Sequence, residues 1–176
     1  MSKRFQDQAG FTLIEMLIVI IILGILAAII IPQITVSSED AKISTLKANL
    51  SGLRSAIEIY YAQHDNKYPG QTKSADGTTN NEPVEAATSM INQLTQYTNS
   101  AGMIKNIKDA TFKYGPYLKG RPLPANPFND GTGVECDASA DITAPKAPTG
   151  TAGIGWKFHF NTGILYPNDN TEHAAY

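Results

Sequence analysis

An almost unbroken apolar run near the amino terminus constrains this chain more than any other feature. Between Phe11 and Ile31, 18 of 21 residues are apolar. A helix needs about 20 such residues to span a bilayer, so the run predicts a membrane-spanning helix. Lys3 and Arg4 precede it, and basic residues favour the cytoplasmic side. The rest of the chain is then expected on the far side of the membrane.

The remainder of the chain is more polar and carries little net charge. Of the 176 residues, 17% are charged, and the formal net charge is −2. This balance gives no electrostatic case for a nucleic-acid partner. Cys136 is the only cysteine, which excludes an intramolecular disulfide and any metal site built from several cysteines.

Glu15 is a charged residue near the start of the apolar run. A charge at the bilayer centre costs about 2.5–3.5 kcal/mol on insertion scales. Cleavage between Gly10 and Phe11 would create an ammonium group four residues from this carboxylate. It would also place Glu15 in the first helical turn, where the helix dipole favours negative charge. The alternative is an uncut anchor that tolerates a glutamate near one edge.

The segment Gly10-Phe11-Thr12-Leu13-Ile14-Glu15, followed by the apolar run, resembles the prepilin signal of type IV pilins and type II secretion pseudopilins. The resemblance implies that a prepilin peptidase cuts after Gly10 and that Phe11 becomes N-methylated. It gives Glu15 the role of pairing with the amine of an adjacent subunit. Gly24 and Pro32 match the part of the family helix that loosens when subunits pack into a filament.

The resemblance also divides the chain into three parts. Residues 1–10 are expected to be a leader peptide, and residues 11–34 a transmembrane helix that forms the filament core. Residues 35–176 are expected to be a periplasmic pilin-like domain that includes the amphipathic half of the long helix.

Proline has no N–H and disfavours helix at the preceding residue, so a kink or break is predicted near Ile31. Helix is expected to resume beyond it, because apolar residues recur at helical spacing and form one face. That face consists of Ile43, Leu46, Leu50, Leu53, Ile57 and Tyr61. The segment from His64 to Gly70 contains strong helix breakers and should end the helix.

The sequence pattern of the carboxy-terminal half predicts a small sheet that covers this helical face. A short helix is expected over 84–99 and a long, partly mobile loop over 129–153. Apolar residues alternate from Trp156 to Phe160, which predicts a strand with one buried face, and 161–163 is a candidate hairpin turn. The predicted fold class is therefore α+β, with a long amino-terminal helix packed on a small antiparallel sheet. The resemblance to pilins implies that these elements form a pilin-like ladle.

Several segments of this half are similar to the protein G-like major pseudopilins. They are His64-Asp65-Asn66-Lys67-Tyr68-Pro69-Gly70, Gly115-Pro116-Tyr117-Leu118, Asn126-Pro127-Phe128 and Gly155-Trp156. Many type IV pilins close a carboxy-terminal loop with a disulfide, which the single Cys136 cannot form within the chain. This difference favours a pseudopilin.

The sequence offers little catalytic chemistry, and an enzyme is not expected. The three histidines lack metal-ligand spacing, and neither G-x-S-x-G nor a P-loop is present. Calcium binding is an expectation that stays open. Calcium takes six to eight oxygen ligands, and the resemblance implies a site in the carboxy-terminal loops, where major pseudopilins bind it. The oxygen-bearing candidates are Asn129, Asp130, Glu135, Asp137 and Asp141; a solvated acidic loop is the alternative.

The sequence therefore predicts a pseudopilus subunit for type II secretion. Its expected partners are copies of itself, the prepilin peptidase, minor pseudopilins or pilins, and an inner-membrane assembly platform with its ATPase. One alternative is a type IV pilin on the cell surface, for adhesion, twitching or DNA uptake. Another is an uncleaved, membrane-tethered periplasmic protein.

Overall fold

The computed structural model describes residues 11–139 and 149–176, with side chains at all of these positions except 29–37. The chain divides into two compact units, one ending at Ala41 and the other comprising Lys42–Tyr176. The predicted leader, residues 1–10, lies outside the described residues.

One long helix, α1, extends over Leu13–Gln63. Of the kink or break predicted near Ile31, the break is wrong, because the backbone is helical through Pro32; a kink stays a prediction. A proline removes one backbone hydrogen bond from a helix, and here long helical stretches on both sides maintain the structure around it. The helix ends where predicted, because Asp65 and Asn66 adopt the left-handed conformation, with φ of 53° and 57°.

Within the second unit, the periodic apolar face of α1 forms one wall of the core. The buried side chains of α1 include Leu46, Leu50, Leu53, Ile57 and Tyr60. They share one cluster with residues of the carboxy-terminal strands, among them Trp156 and Leu165. This confirms the prediction that the sheet covers this face of the helix.

A second helix, α2, extends over Pro83–Thr95 and buries Ala86, Met90 and Leu94. It ends four residues before the predicted limit of 99. The reason is that β1 (Tyr97–Thr98) begins almost at once and pairs antiparallel with β2 (Ile104–Lys105).

A three-stranded sheet of order β3-β4-β5 completes the core. Its strands are β3 (Gly133–Asp137), β4 (Ile154–His159) and β5 (Ile164–Pro167). The α+β class is confirmed, and β4 and β5 are antiparallel as expected. However, β3 is parallel to β4, so this sheet is mixed. The prediction that 129–153 is wholly a loop is therefore wrong, because β3 lies within it.

Strand β4 is buried on both faces, although alternation had predicted only one buried face. Lys157 and His159 are only 3% and 2% exposed. The turn after β4 confirms the prediction at 161–163, because the N–H groups of Thr162 and Gly163 both donate to the His159 carbonyl oxygen, at 3.1 and 2.8 Å. A short 3-10 helix at His173–Ala175 follows β5.

Candidate functional site

The start of α1 holds the acidic side chain to which the sequence assigns subunit pairing. Thr12 precedes the helix, and its carbonyl oxygen accepts a bond from the Met16 N–H at 3.3 Å. Glu15 Oε2 accepts bonds from the Thr12 N–H at 2.8 Å and from the Thr12 hydroxyl at 2.7 Å. The Glu15 N–H donates to Thr12 Oγ1 at 3.3 Å. This reciprocal pattern is a capping box, and it fixes the carboxylate at the helix start.

Thr12 is the residue of this site that the sequence analysis missed. The signal was present, because Thr12-Leu13-Ile14-Glu15 fits the S/T-x-x-E pattern of a capping box. Both Thr12 bonds end at one carboxylate oxygen, Oε2. The other oxygen, Oε1, accepts no hydrogen bond from the residues that the structure describes, and Glu15 is exposed.

The first turns of α1 present a broad apolar surface to solvent. Every residue from 11 to 28 is exposed, with Phe11 at 79% and Leu13 at 86%. Contiguous apolar patches of this kind are rare on monomeric soluble proteins and mark interaction surfaces.

Among the residues that the structure describes, no helix is both long enough and apolar enough to cross a membrane. The predicted membrane segment, 11–34, extends into residues 29–37, whose side chains lie outside those described.

The other residues assigned to processing and assembly are only partly described. Gly24 lies within α1, and a Cβ built on it would have no neighbouring atom within 4 Å. Pro32 contributes only its helical backbone, and Gly10 lies outside the described residues. Their assigned roles stay predictions.

Two of the residues proposed for calcium, Asn129 and Glu135, already bind other groups of the protein. Asn129 Nδ2 donates to the Ile154 and Asn168 carbonyl oxygens at 3.1 and 3.3 Å, while its Oδ1 accepts from the Gly131 N–H at 3.0 Å. Glu135 contacts Lys157 and Thr149.

Of the remaining calcium candidates, Asp137 accepts from the Ser139 N–H at 2.8 Å. Asp130 is exposed on a turn with φ of 54°, and Asp141 lies outside the described residues. In the described ranges, 11–139 and 149–176, no group of three or more His, Cys, Asp or Glu side chains could hold a metal ion. Calcium binding through these residues stays a prediction.

The groups that could act as nucleophile or base are separated and buried. Cys136 lies in β3, not in a loop, and burial, reinforced by the charges of Glu135 and Asp137, raises the pKa of its thiol to about 12. His64 contacts the Tyr60 carbonyl oxygen and the Thr98 hydroxyl. The other two histidines form separate contacts, His159 with Tyr166 and His173 with Asp169.

The start of the chain matches a family profile described as the Prokaryotic N-terminal methylation motif, over residues 6–31. Over a longer stretch, the chain is similar to fimbrial protein EcpC of Eikenella corrodens. The identity is 32% over 142 residues, which cover 77% of this chain and 86% of that protein.

Shorter matches are to type II secretion system core protein G. The Pseudomonas aeruginosa protein is 40% identical over 60 residues, which cover 34% of this chain and 41% of that protein. The Aeromonas hydrophila protein is 35% identical over 80 residues, which cover 46% and 54% of the two chains. The chain thus spans about half the length of these two relatives. No solved structure gives a significant match.

Proposed function

Because the chain belongs to the family of type IV pilins and type II secretion pseudopilins, we propose that it is a structural subunit of a pseudopilus. In this role it polymerises with copies of itself into a helical filament that drives protein export. The proposed role is structural and involves no catalysis.

The observation that carries this proposal is the exposed apolar surface of residues 11–28, with a single carboxylate at its start. A surface of this size must be covered by lipid or by other protein. Copies that pack these helices together cover it without closing a ring. Head-to-tail contacts that do not close produce a filament.

Processing after Gly10 gives the Glu15 carboxylate its partner. The cut makes Phe11 the first residue, with a methylated amine that carries a positive charge. Since Thr12 occupies only Oε2 of Glu15, Oε1 is available to the amine of a neighbouring copy. An ion pair shielded by packed helices is much stronger than one in water, which favours subunits in the correct register.

Before assembly, residues 11–34 anchor each copy in the inner membrane, with the rest of the chain in the periplasm. The prepilin peptidase processes the anchored copies. An assembly platform and its ATPase then extract them, and minor pseudopilins share the filament.

A surface type IV pilin is the second candidate. It is favoured by the similarity to fimbrial protein EcpC, which covers 86% of that protein. Against it stands the single cysteine, Cys136, which lies buried in β3 and cannot close the carboxy-terminal loop within the chain.

The distinguishing experiment is a deletion of the gene in its own host. The pseudopilus proposal expects secreted hydrolases to accumulate in the periplasm while surface pili stay intact. Normal secretion with loss of surface filaments or of twitching would instead identify a type IV pilin.

Complementation of the deletion then tests the role of the carboxylate. Glu15→Val should abolish secretion and filament assembly while leaving the protein folded and present in the membrane. The matched control is Glu58→Val, since Glu58 is an exposed glutamate of the same helix. Normal filament yield from Glu15→Val would refute the charge-pairing mechanism. Processing is checked separately, by mass spectrometry of the amino-terminal peptide, which should begin with N-methylated Phe11.

A further inference from the structure

The second face of the three-stranded sheet carries a row of polar side chains. Successive residues of a strand point to opposite faces. Val134, Trp156 and Leu165 belong to the core cluster, so the next residues along, Glu135, Lys157 and Tyr166, lie on the other face. The register pairs Glu135 with Lys157 and Lys157 with Tyr166. These three side chains therefore form one row across the sheet, with Lys157 in the middle.

The ammonium group of Lys157 is buried and paired. Its side chain is 3% exposed, and Nζ lies 3.2 Å from Glu135 Oε1, whose side chain is 33% exposed. A buried charge is tolerated only when it is paired and hydrogen-bonded. Glu135 is thus the counter-ion that allows Lys157 to occupy the central strand.

The same carboxylate also binds the segment that connects the parallel strands β3 and β4. Glu135 Oε2 accepts a hydrogen bond from the Thr149 hydroxyl at 2.6 Å. Thr149 in turn donates its N–H to Asn168 Oδ1 at 3.2 Å and accepts from Asn168 Nδ2 at 3.1 Å. Lys157 is therefore linked through Glu135 to Thr149, which lies at the end of the connection that leads into β4. Thr149 in turn links this pair to Asn168, the residue after β5.

Asn129 joins this network from the other side, since its Nδ2 donates to the Asn168 carbonyl oxygen at 3.3 Å. The side chains of Glu135 and Asn129, two of the calcium candidates, thus bind other groups of the protein, among them Lys157. Glu135 Oε1, Glu135 Oε2 and Asn129 Oδ1 each already bind a group of the protein. A calcium ion, which needs six to eight oxygen ligands, would have to compete with those partners.

We infer that the ammonium group of Lys157 is the structural cation of the carboxy-terminal half, in place of a divalent metal ion. It neutralises Glu135 and, through it, holds Thr149, at the described end of the connection that leads into β4, beside the sheet. The fold of the Lys42–Tyr176 unit is then independent of calcium. This inference does not depend on the proposed role in a filament.

The test compares thermal unfolding of full-length protein in detergent, followed by near-ultraviolet circular dichroism, with excess calcium or with a chelator. The wild-type midpoint should be the same in both solutions. Lys157→Met should lower the midpoint by roughly 5–10 °C. Lys157→Arg, which keeps the positive charge, should lower the midpoint by less than Lys157→Met does.

The variant Glu135→Gln and the double variant Lys157→Met/Glu135→Gln measure the coupling between the two side chains. Because Glu135 is partly exposed, Glu135→Gln is expected to fold. The double variant should lower the midpoint by less than the sum of the two single decreases. Lys108→Met is the matched control, since Lys108 is exposed, and it should leave the midpoint unchanged.

Three outcomes would overturn the inference. The first is a wild-type midpoint that rises with calcium. The second is full additivity of the losses from Lys157→Met and Glu135→Gln. The third is an equal loss from Lys108→Met, which would show that removal of any lysine has this effect.

Discussion

His64, the first residue after α1, shows how one side chain links several elements. Its ring stacks on Tyr60 with the centroids 3.7 Å apart. Nδ1 lies 2.8 Å from the Tyr60 carbonyl oxygen, and Nε2 lies 2.9 Å from the Thr98 hydroxyl. A carbonyl can only accept, so Nδ1 carries a proton, and Thr98 satisfies the other nitrogen. Burial disfavours the charged ring and lowers the pKa of His64 below its usual value of 6.5.

This pKa shift predicts that acid destabilises the fold. As the pH falls below about 6.5, the unfolded chain binds the proton before the folded one does, so stability decreases. The loss stops once the pH lies below the pKa of His64 in the folded state. Melting temperatures of the wild type and His64→Gln, measured from about pH 8 to pH 5, should show a shallower pH dependence for the variant. Parallel curves would contradict this explanation.

At the scale of elements, the hairpin between β4 and β5 packs against the segment that ends α1. Gly163 closes the turn with φ of 77°. A Cβ built on it would overlap the ring of Tyr68, which itself packs against the core cluster. The turn therefore requires glycine for two reasons, its left-handed conformation and the close approach of Tyr68.

Gly163→Ala should consequently lower the free energy of unfolding by more than the positive φ angle alone would. Gly120 is the matched control, because it has φ of 83° and open space where a Cβ would be placed. Gly120→Ala should lose about 1–2 kcal/mol of unfolding free energy, and Gly163→Ala at least twice as much. Denaturant unfolding of both variants measures the difference, and equal losses would show that Tyr68 makes no contribution.

The elements also differ in how far the sequence predicts them. Helix α1 is predictable, since its apolar residues recur at helical spacing over many turns. Strand β3 is not, because it has only five residues and pairs in parallel with a strand from which 16 residues separate it. Glu15 is recognisable from a local motif, whereas the burial of Lys157 depends on contacts with Glu135 and the connection that returns at Thr149.

At the scale of the whole molecule, the two compact units differ in whether their apolar side chains are buried or exposed to solvent. The unit Lys42–Tyr176 has its own core, built from α1, α2 and the sheet. In the other unit, residues 11–28 expose their apolar side chains. Folding and the proposed self-association therefore depend on different parts of the chain.

A truncated protein comprising Ser38–Tyr176 should therefore fold on its own and stay monomeric without detergent. Ser38 is also a residue type favoured at the start of a helix. Light scattering after gel filtration and circular dichroism check the mass and the fold. The full-length protein, measured in parallel, should require detergent or form large assemblies. An unfolded or aggregated truncated protein would contradict the independence of this unit.

The connection between β3 and β4 is held at both of its described ends. Asn161 Nδ2 donates to the Ala138 carbonyl oxygen at 2.8 Å, and Thr149 binds Glu135 and Asn168. When the ends of a loop are fixed, doubling its length costs only about 0.6 kcal/mol. An epitope or a fluorophore tag inserted between these two fixed ends should therefore cost the Lys42–Tyr176 unit little stability.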